Sequence, residues 1–212
     1  PALCSSTAES EESYHLRLFE TVTDLRQEPL FLALGGEHSI TPDMVFARMS
    51  KGGTVVQVDA HADLRTTYHG STYNHACPMR RIRDKGYTLI QIGIRSLQAK
   101  EAEAIAVDSG ITTYLDRALQ RPETQQKMHR QLAALTGPVW LTIDMDGLDP
   151  ALVAGVGTPQ PGGLSWYQLL DIVEILMHNR NIDVRGVDIV EIVPEPSHVS
   201  EMTAAKLLQK CI

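Results

Sequence analysis

Thr54-Val55-Val56-Gln57-Val58-Asp59-Ala60-His61-Ala62-Asp63 is the segment most indicative of the fold. Its first half, Thr54–Val58, is a valine-rich run after two glycines and predicts a buried strand. Three side chains that can bind metals, Asp59, His61 and Asp63, follow directly. Open α/β sheets place their ligands at the carboxyl ends of parallel strands. Carboxylates with imidazole favour a divalent cation such as manganese, and a hydrogen-bonded loop without metal is the alternative.

Two further strand-like runs end in side chains of the same kind. The run at 139–143 is followed by Asp144 and Asp146, and the run at 30–34 leads through two glycines to His38. Carboxylates at the end of a buried strand repel each other and resist desolvation, so two such groups favour bound cations. Six ligands are too many for one zinc ion and fit a pair of metals with bridging carboxylates. The predicted ligands are His38, Asp59, His61, Asp63, Asp144 and Asp146.

Length and composition predict one globular domain. The chain has 212 residues, of which 43% are hydrophobic and 21% charged. Its apolar runs are too short to cross a bilayer, and its first residues lack the pattern of a secretory signal. A net charge of −7 argues against nucleic-acid binding, which needs a basic surface. Cys4, Cys77 and Cys211 have no paired spacing, which predicts free thiols in the cytoplasm.

Short β-prone runs alternate with longer amphipathic runs along the chain. This alternation predicts an α/β fold, a three-layer αβα sandwich around a mostly parallel sheet. The predicted strands are 30–34, 54–58, 88–92, 111–114, 139–143 and 183–190. The predicted helices are 10–26, 41–49, 77–85, 96–107 with Ser96 as its N-cap, 123–134, 165–178 and 201–209.

Taken in order, the motifs resemble those of the ureohydrolase family, the arginase and agmatinase group. Their order and separations match the family from about residue 30 to the end. The matching pieces are Gly35-Gly36-Glu37-His38-Ser39, Asp59-Ala60-His61-Ala62-Asp63, Asp144-Met145-Asp146-Gly147-Leu148-Asp149-Pro150, Gly155-Val156-Gly157-Thr158-Pro159, Gly162-Gly163-Leu164 and Val190-Glu191-Ile192-Val193-Pro194.

Within the group, Asp63-Leu64-Arg65 and the segment from Tyr73 to Ile82 resemble agmatinases. Arginases carry small polar residues after the Asp-His-Asp motif, where they hold the α-carboxylate and α-amino groups of arginine. Arg65 and Tyr73 replace that pattern here. Agmatine lacks the carboxylate and needs no such residues, so the resemblance implies agmatine as the substrate.

The resemblance implies two manganese ions per chain and hydrolysis of a guanidino group to urea and an amine by a hydroxide that bridges the metals. By the match of motifs, one ion would be bound by His38 and Asp63, the other by His61 and Asp146, and both by Asp59 and Asp144.

Four residues match catalytic or substrate-binding positions of the family. Asp63 would pass a proton to the leaving amine, and His75 would exchange protons with solvent. Glu191 would pair with the guanidinium and hold its carbon over the nucleophile. Thr158 would orient the substrate or the surroundings of the metals.

We therefore expect a cytoplasmic agmatinase-like ureohydrolase that releases putrescine and urea, acts in polyamine biosynthesis and forms a homo-oligomer, a trimer or hexamer. The alternatives are another guanidino or formimino hydrolase, such as a guanidinobutyrase, and an inactive metal-binding homologue or fragment. A zinc deacylase of related fold is disfavoured, because Asp63 and Asp144 supply too many carboxylates for one zinc. Since only residues 1–29 precede the first motif strand, we expect a single domain over residues 1–212 that is truncated at its N-terminus.

Several residues outside the motifs have less definite predictions. His15, His129 and His178 are interpreted as surface or space-filling side chains on helices. Arg95 has two open interpretations, a subunit contact and a partner for a carboxylate, and Asp188 is given no role.

Overall fold

A single sheet of six parallel strands forms the centre of the molecule. The computed structural model describes residues 9–25, 27–49 and 52–212, so Cys4 and Arg26, the predicted end of the first helix, lie outside this part. The strands in that part are β1 (Phe31–Leu34), β2 (Thr54–Val58), β3 (Thr88–Ile94), β4 (Ile111–Leu115), β5 (Gly137–Asp144) and β6 (Ile182–Val190). Their order in the sheet is β1-β6-β5-β2-β3-β4, with β1 at one edge.

Helices cover both faces of the sheet, which confirms the three-layer sandwich. The first four pack their apolar side chains against one face and the last four against the other. The helices are α1 (Glu11–Asp24), α2 (Thr41–Arg48), α3 (Pro78–Asp84), α4 (Ala99–Val107), α5 (Asp116–Leu119), α6 (Pro122–Ala133), α7 (Trp166–His178) and α8 (Val199–Lys210).

Alternation along each strand divides the core into two layers. On β2, Val55 packs in the layer beneath α1–α4, whereas Val56 and Val58 pack in the layer beneath α5–α8. All three valines are fully buried. Burial on both faces is typical of parallel sheets, and it explains why β2 reads in the sequence as a continuous apolar run.

The direction of strand addition reverses between β2 and β5. From β2 the chain adds β3 and β4 on one side, and then returns to add β5 and β6 on the other. Right-handed crossovers therefore place the intervening helices on opposite faces and open a crevice at the carboxyl ends of β2 and β5. Asp59 directly follows β2, and Asp144 is the last residue of β5. The predicted metal ligands thus lie at the point where this fold class binds ligands.

The structure corrects the predicted start of α4. Ser96 was expected to cap this helix, but the helix begins at Ala99 with Gln98 as its N-cap. Glu101 completes the capping box by accepting a hydrogen bond from the backbone of Gln98. Ser96 instead extends the sheet, because its backbone N–H donates to the carbonyl of Ala60 at 2.9 Å. The short helix α5 was not predicted.

The prediction for His15 is also corrected, because its side chain is neither on the surface nor merely space-filling. Its side chain is buried on α1, and Nδ1 pairs with a carboxylate oxygen of Asp43 on α2. The other oxygen of Asp43 accepts a hydrogen bond from Arg81 on α3 at 2.8 Å. This buried group joins three helices and could not be read from the spacing along α1 alone.

Two of the remaining predictions concern membranes and thiols. In the part of the chain that the structure describes, no helix is long and apolar enough to cross a membrane. Cys77 and Cys211 are buried free thiols, as predicted.

Candidate metal centre

His38 meets three carboxylates at the centre of the crevice. It begins a short 3₁₀ turn, His38–Ile40, after β1, and its side chain is fully buried. Its Nδ1 atom lies 3.1 Å from Oδ2 of Asp63, 3.3 Å from Oδ2 of Asp59 and 3.5 Å from Oδ2 of Asp144. Side chains from three strand ends therefore converge on one point, as the sequence predicted.

A second group lies beside the first and is more open to solvent. His61 Nδ1 is 3.1 Å from Oδ2 of Asp146 and 3.6 Å from Oδ1 of Asp59. The side chain of His61 is 23% exposed, whereas Asp146 is buried. Backbone groups hold the carboxylates: the N–H of Ala60 donates to Asp146, and the N–H of Asp146 donates to Asp144.

The two groups share one carboxylate. His38, Asp59 and Asp144 place one ligand atom each within 4.8 Å of one another, and Asp59, His61 and Asp146 do the same. Asp59 belongs to both sets, as a bridging ligand must. Asp63 approaches the first set through His38. The arrangement brings all six predicted ligands together and provides two adjacent sites.

The electrostatics of the site favour binding of cations. Burial and the charge of Asp59 raise the pKa of Asp63 to about 7, and burial with the charges of Asp59 and Asp146 raises that of Asp144 well above its usual range. Burial lowers the pKa of His38, but the approach of Asp144, Asp59 and Asp63 outweighs it and raises that pKa well above its usual range. These carboxyl groups repel one another, and bound cations would relieve the repulsion.

The hydrogen bonds around His38 also fit a metal ion. Nε2 lies 2.8 Å from Oγ1 of Thr142, whose hydroxyl donates to Oδ1 of Asp188 at 2.6 Å. Because the hydroxyl proton of Thr142 is used, Nε2 must donate to it, so in the neutral imidazole, the form that binds a metal, the lone pair lies on Nδ1. Among the described residues, none forms a hydrogen bond of normal geometry with this buried Nδ1. A bare imidazole nitrogen that faces three carboxylate oxygens is suited to a divalent metal.

The backbone around the ligands is held in unusual conformations. Asp63 has a φ of 53° and Glu191 has a φ of 62°, in the left-handed region that side chains disfavour. The N–H of Leu64 donates to Oε1 of Glu101 at 2.9 Å, and the carbonyl of Asp63 accepts from Arg80 at 3.1 Å. Glu101 therefore both caps α4 and anchors the loop that carries Asp63.

The predicted catalytic residues Glu191 and His75 line the open side of the site. Glu191 accepts a hydrogen bond from the backbone N–H of His38 at 2.7 Å, and burial raises its pKa. His75 is 42% exposed and contacts Oε1 of Glu37 through Nδ1 at 3.1 Å. This hydrogen bond to Glu37 raises the pKa of His75. Glu37 was not singled out in the sequence, because only the fold brings it to His75.

Thr158 and Arg95 support the loop that carries Asp146. The hydroxyl of Thr158 donates to Oδ2 of Asp146 at 3.0 Å, so Thr158 lies beside a predicted ligand. Arg95 forms six hydrogen bonds with backbone carbonyls at the end of β3, in the turn after β5 and in the loop at 160–161. Its shortest, 2.7 Å, is to the carbonyl of Asp146. Neither predicted role of Arg95 explains these contacts, which join three segments.

A cavity of about 230 Å³ opens onto the candidate metal centre. Asp63, Asp144, His75 and Glu191 line it together with Arg65, whose guanidinium lies over the ring of Tyr68 at 4.6 Å. A larger cavity of about 810 Å³ lies between α1 and β1 and contains none of the predicted ligands. Tyr73 lines that one instead, and its ring packs between His15 and Arg81. Arg65, but not Tyr73, is therefore placed to meet a substrate.

Comparison with known proteins gives the family. The model of the Arginase family matches residues 4–212, which is nearly the whole chain. The chain belongs to the arginase family. This confirms the resemblance found in the motifs, the arginase-like fold and the enzyme class, a ureohydrolase that acts on guanidino compounds.

The relatives are ureohydrolases of several kinds. The chain is 37% identical over 205 residues to the N(1)-aminopropylagmatine ureohydrolase of Thermus thermophilus, covering 96% of this chain and 68% of that protein. It is 41% identical over 184 residues to the enzyme of the same name from Synechocystis, covering 84% and 58%. The solved agmatine ureohydrolase of Thermoplasma volcanium superimposes with a TM-score of 0.82 at 32% identity, covering 96% and 68%. The chain thus spans about three fifths to two thirds of the length of these relatives.

Proposed function

We propose that this chain hydrolyses agmatine to putrescine and urea with two Mn²⁺ ions. The observation that carries the proposal is the unpaired Nδ1 of His38, buried against the oxygens of three carboxylates in an arginase-family crevice. Carboxylate and imidazole donors favour manganese over metals that prefer thiolates. When bound, the two ions would supply a polarised water that is nucleophilic near neutral pH.

The six ligands divide into two sets in this proposal. Asp59 and Asp144 are proposed to contact both ions, and each histidine is proposed to contact one. The short distances from His38 to Asp63 and from His61 to Asp146 support this division. The proposed ligands are His38 and Asp63 for the buried ion, His61 and Asp146 for the more open ion, and Asp59 and Asp144 for both.

Glu191 is proposed to orient the guanidinium. One of its oxygens is held by the backbone N–H of His38, which fixes the carboxylate on the wall of the cavity. A carboxylate in that position can accept hydrogen bonds from the planar guanidinium and hold its carbon beside the metals. Thr158 then has an indirect role, because its hydroxyl fixes Asp146.

Asp63 and His75 are proposed to move protons. Asp63 lines the cavity beside His38 and would transfer a proton to the leaving amine. His75 lies further out and is exposed enough to exchange that proton with solvent. The hydrogen bond between His75 and Glu37 holds the imidazole at the mouth of the cavity.

The proposal also concerns the part of the substrate beyond the guanidino group, which we call the substrate tail. Two relatives carry the name N(1)-aminopropylagmatine ureohydrolase, so the longer amine N(1)-aminopropylagmatine is the second candidate. Arg65 on the cavity wall is the feature that would favour an anionic tail, as in 4-guanidinobutyrate. We further propose that the protein is cytoplasmic, acts in polyamine biosynthesis and forms a homo-oligomer, whose size light scattering would measure.

The experiment is a urea-release assay on the manganese-loaded chain, with bound metal counted in the same sample. Agmatine, N(1)-aminopropylagmatine, arginine and 4-guanidinobutyrate are compared at equal concentration. We expect urea from agmatine in preference to arginine and 4-guanidinobutyrate. Preference for the longer amine would change the substrate and keep the chemistry, whereas metal binding without urea from any of them would contradict the proposed activity.

A further inference from the structure

A row of five polar side chains crosses the sheet beneath the metal centre. Parallel pairing places Asp188 beside Thr142, Thr142 beside Gln57, Gln57 beside Gln91 and Gln91 beside Thr113. The four in the central strands, β6, β5, β2 and β3, are fully buried. We call these five residues the polar row.

The polar row interrupts an otherwise apolar layer. Two residues earlier on the same strands, the side chains are Val55, Leu89 and Trp140, which belong to the core beneath α1–α4. Buried amides and hydroxyls destabilise the fold when unpaired, and even when paired they add little stability over apolar side chains. Stabilisation of the fold therefore does not explain why four buried polar residues lie at this level of the sheet. The explanation must come from the groups that they contact.

One end of the polar row orients His38. Asp188 accepts hydrogen bonds from the hydroxyls of Thr142 and Thr41 and from the indole of Trp140. With its proton directed to Asp188, Thr142 can only accept from Nε2 of His38. In the neutral imidazole, this contact fixes the tautomer in which Nδ1 carries the lone pair and faces Asp59, Asp63 and Asp144.

The other end holds the loop of Asp59 and His61. The amide of Gln57 donates to Oδ2 of Asp59 at 2.7 Å and to the carbonyl of His61 at 3.2 Å. Its oxygen accepts from Gln91 at 2.6 Å, and Gln91 also donates to the carbonyl of Ala62 at 2.7 Å. Flipping either amide would set oxygen against oxygen, so the direction of the hydrogen bonds from Thr113 through Gln91 to Gln57 is fixed.

We propose that the polar row positions the metal ligands, with Thr142 and Gln57 as its two positioning residues. Thr142 acts on the imidazole of His38, and Gln57 acts on the carboxylate of Asp59 and on the backbone between Asp59 and Asp63. Neither needs to touch metal or substrate. Together they present the ligands in binding geometry before any ion arrives, which reduces the reorganisation that metal binding requires. This inference rests on the proposed metal centre.

The test is Thr142→Val, with Thr142→Ser as its matched control. Valine keeps the shape of threonine and removes the hydroxyl, whereas serine restores the hydroxyl. Binding of Mn²⁺ to the full chain is measured by the EPR signal of the free ion, and thermal unfolding is measured without metal. We expect Thr142→Val to weaken Mn²⁺ binding about 10- to 100-fold and Thr142→Ser to remain within about threefold of the unsubstituted chain. The metal-free Tm should change by less than about 4 °C in both.

Gln57→Leu is the second variant and tests the other half of the row. It should weaken Mn²⁺ binding by a similar factor. Thr112→Val is the control, because Thr112 is the neighbouring residue on β4, lies outside the polar row and accepts a hydrogen bond from Gln131; it should leave binding within about threefold. Unchanged Mn²⁺ affinity in both Thr142→Val and Gln57→Leu would overturn this inference and leave the proposed function standing. Weaker binding matched by a fall in metal-free Tm would overturn it in favour of a structural role. An unsubstituted chain that binds no Mn²⁺ would overturn both this inference and the proposed function.

Discussion

The proposed metal ligands and the residues at the mouth of the cavity are held in different ways. His38, Asp59, Asp144 and Asp146 are almost completely buried, and backbone N–H groups or buried side chains hold each of them. At the mouth, the side chains of His75 and Glu37 are 42% and 45% exposed and depend largely on each other. The ligands follow strands of the sheet, whereas His75 lies in the long loop between β2 and α3.

This difference indicates that separate groups of residues determine metal binding and substrate choice. Ligands that are held by buried groups can bind the same ions whichever substrate is present. Residues at the more exposed mouth of the cavity can be substituted without moving those ligands. Arginase-family relatives with different named substrates fit this division. Substitutions at the two levels should therefore separate metal binding from turnover and from substrate choice.

The largest effect is expected at a bridging ligand. Asp144→Ala should lose both metals and reduce urea release by more than about 10³-fold, because a metal ion supplies several kcal/mol of transition-state stabilisation. Metal analysis and the urea assay measure the two losses on one sample. Asp149→Ala is the matched control, since Asp149 lies in the same motif but accepts from Ala151 in a turn. Retention of two metals by Asp144→Ala would contradict the assigned ligand set.

A smaller effect, confined to turnover, is expected at the mouth. His75→Ala should lower kcat by about 10² to 10⁴-fold while two metals remain bound, because general acid–base groups contribute on that scale. Steady-state kinetics and metal analysis give the two values. Loss of the metals in this variant would place His75 among the ligands and contradict the division between the two levels.

Glu37→Gln should change the pH dependence of turnover more than its maximum. The carboxylate of Glu37 raises the pKa of His75, so in the unsubstituted chain the imidazole keeps its proton to higher pH. Removing the negative charge returns that pKa toward its usual value. The limb of the kcat–pH profile that reports His75 should therefore move to lower pH, and an NMR titration of His75 should move the same way. A limb that stays in place would show that His75 does not control it.

The smallest effect is expected at Arg65. Its side chain is partly exposed, and charge interactions at such positions are worth about 0.2–1 kcal/mol. Arg65→Ala should lower KM for agmatine and raise it for 4-guanidinobutyrate, each by less than about tenfold, whereas Arg65→Lys should keep the original order. An increase of KM for both substrates would indicate a role for Arg65 in packing against Tyr68 instead of in charge selection.

Local sequence was enough to predict the strands and the rim of the sheet at which the proposed ligands meet. Asp59 and Asp144 come directly after apolar runs, and the other four proposed ligands lie shortly after such a run, so the end of each run marks the rim. The polar row could not be predicted in this way, because Gln57, Gln91 and Asp188 meet only through the register between strands distant in sequence.

Contacts between distant loops escaped prediction for the same reason. Arg95 binds carbonyls more than 50 residues away, and Glu37 lies 38 residues from His75. His15 was misjudged because its helix was considered alone, without Asp43 on the neighbouring helix. The start of α4 was misplaced because Glu101 caps the helix through Gln98, two residues after the serine that propensity favoured.

Anomalous diffraction from crystals of the chain soaked in Mn²⁺ is the most direct test of the two-metal site. We expect two manganese peaks separated by about 3.5–4 Å, with Asp59 between them. One should lie next to Nδ1 of His38 and the other next to Nδ1 of His61. A single peak, or peaks that leave Nδ1 of His38 without a metal, would contradict the proposed two-metal site.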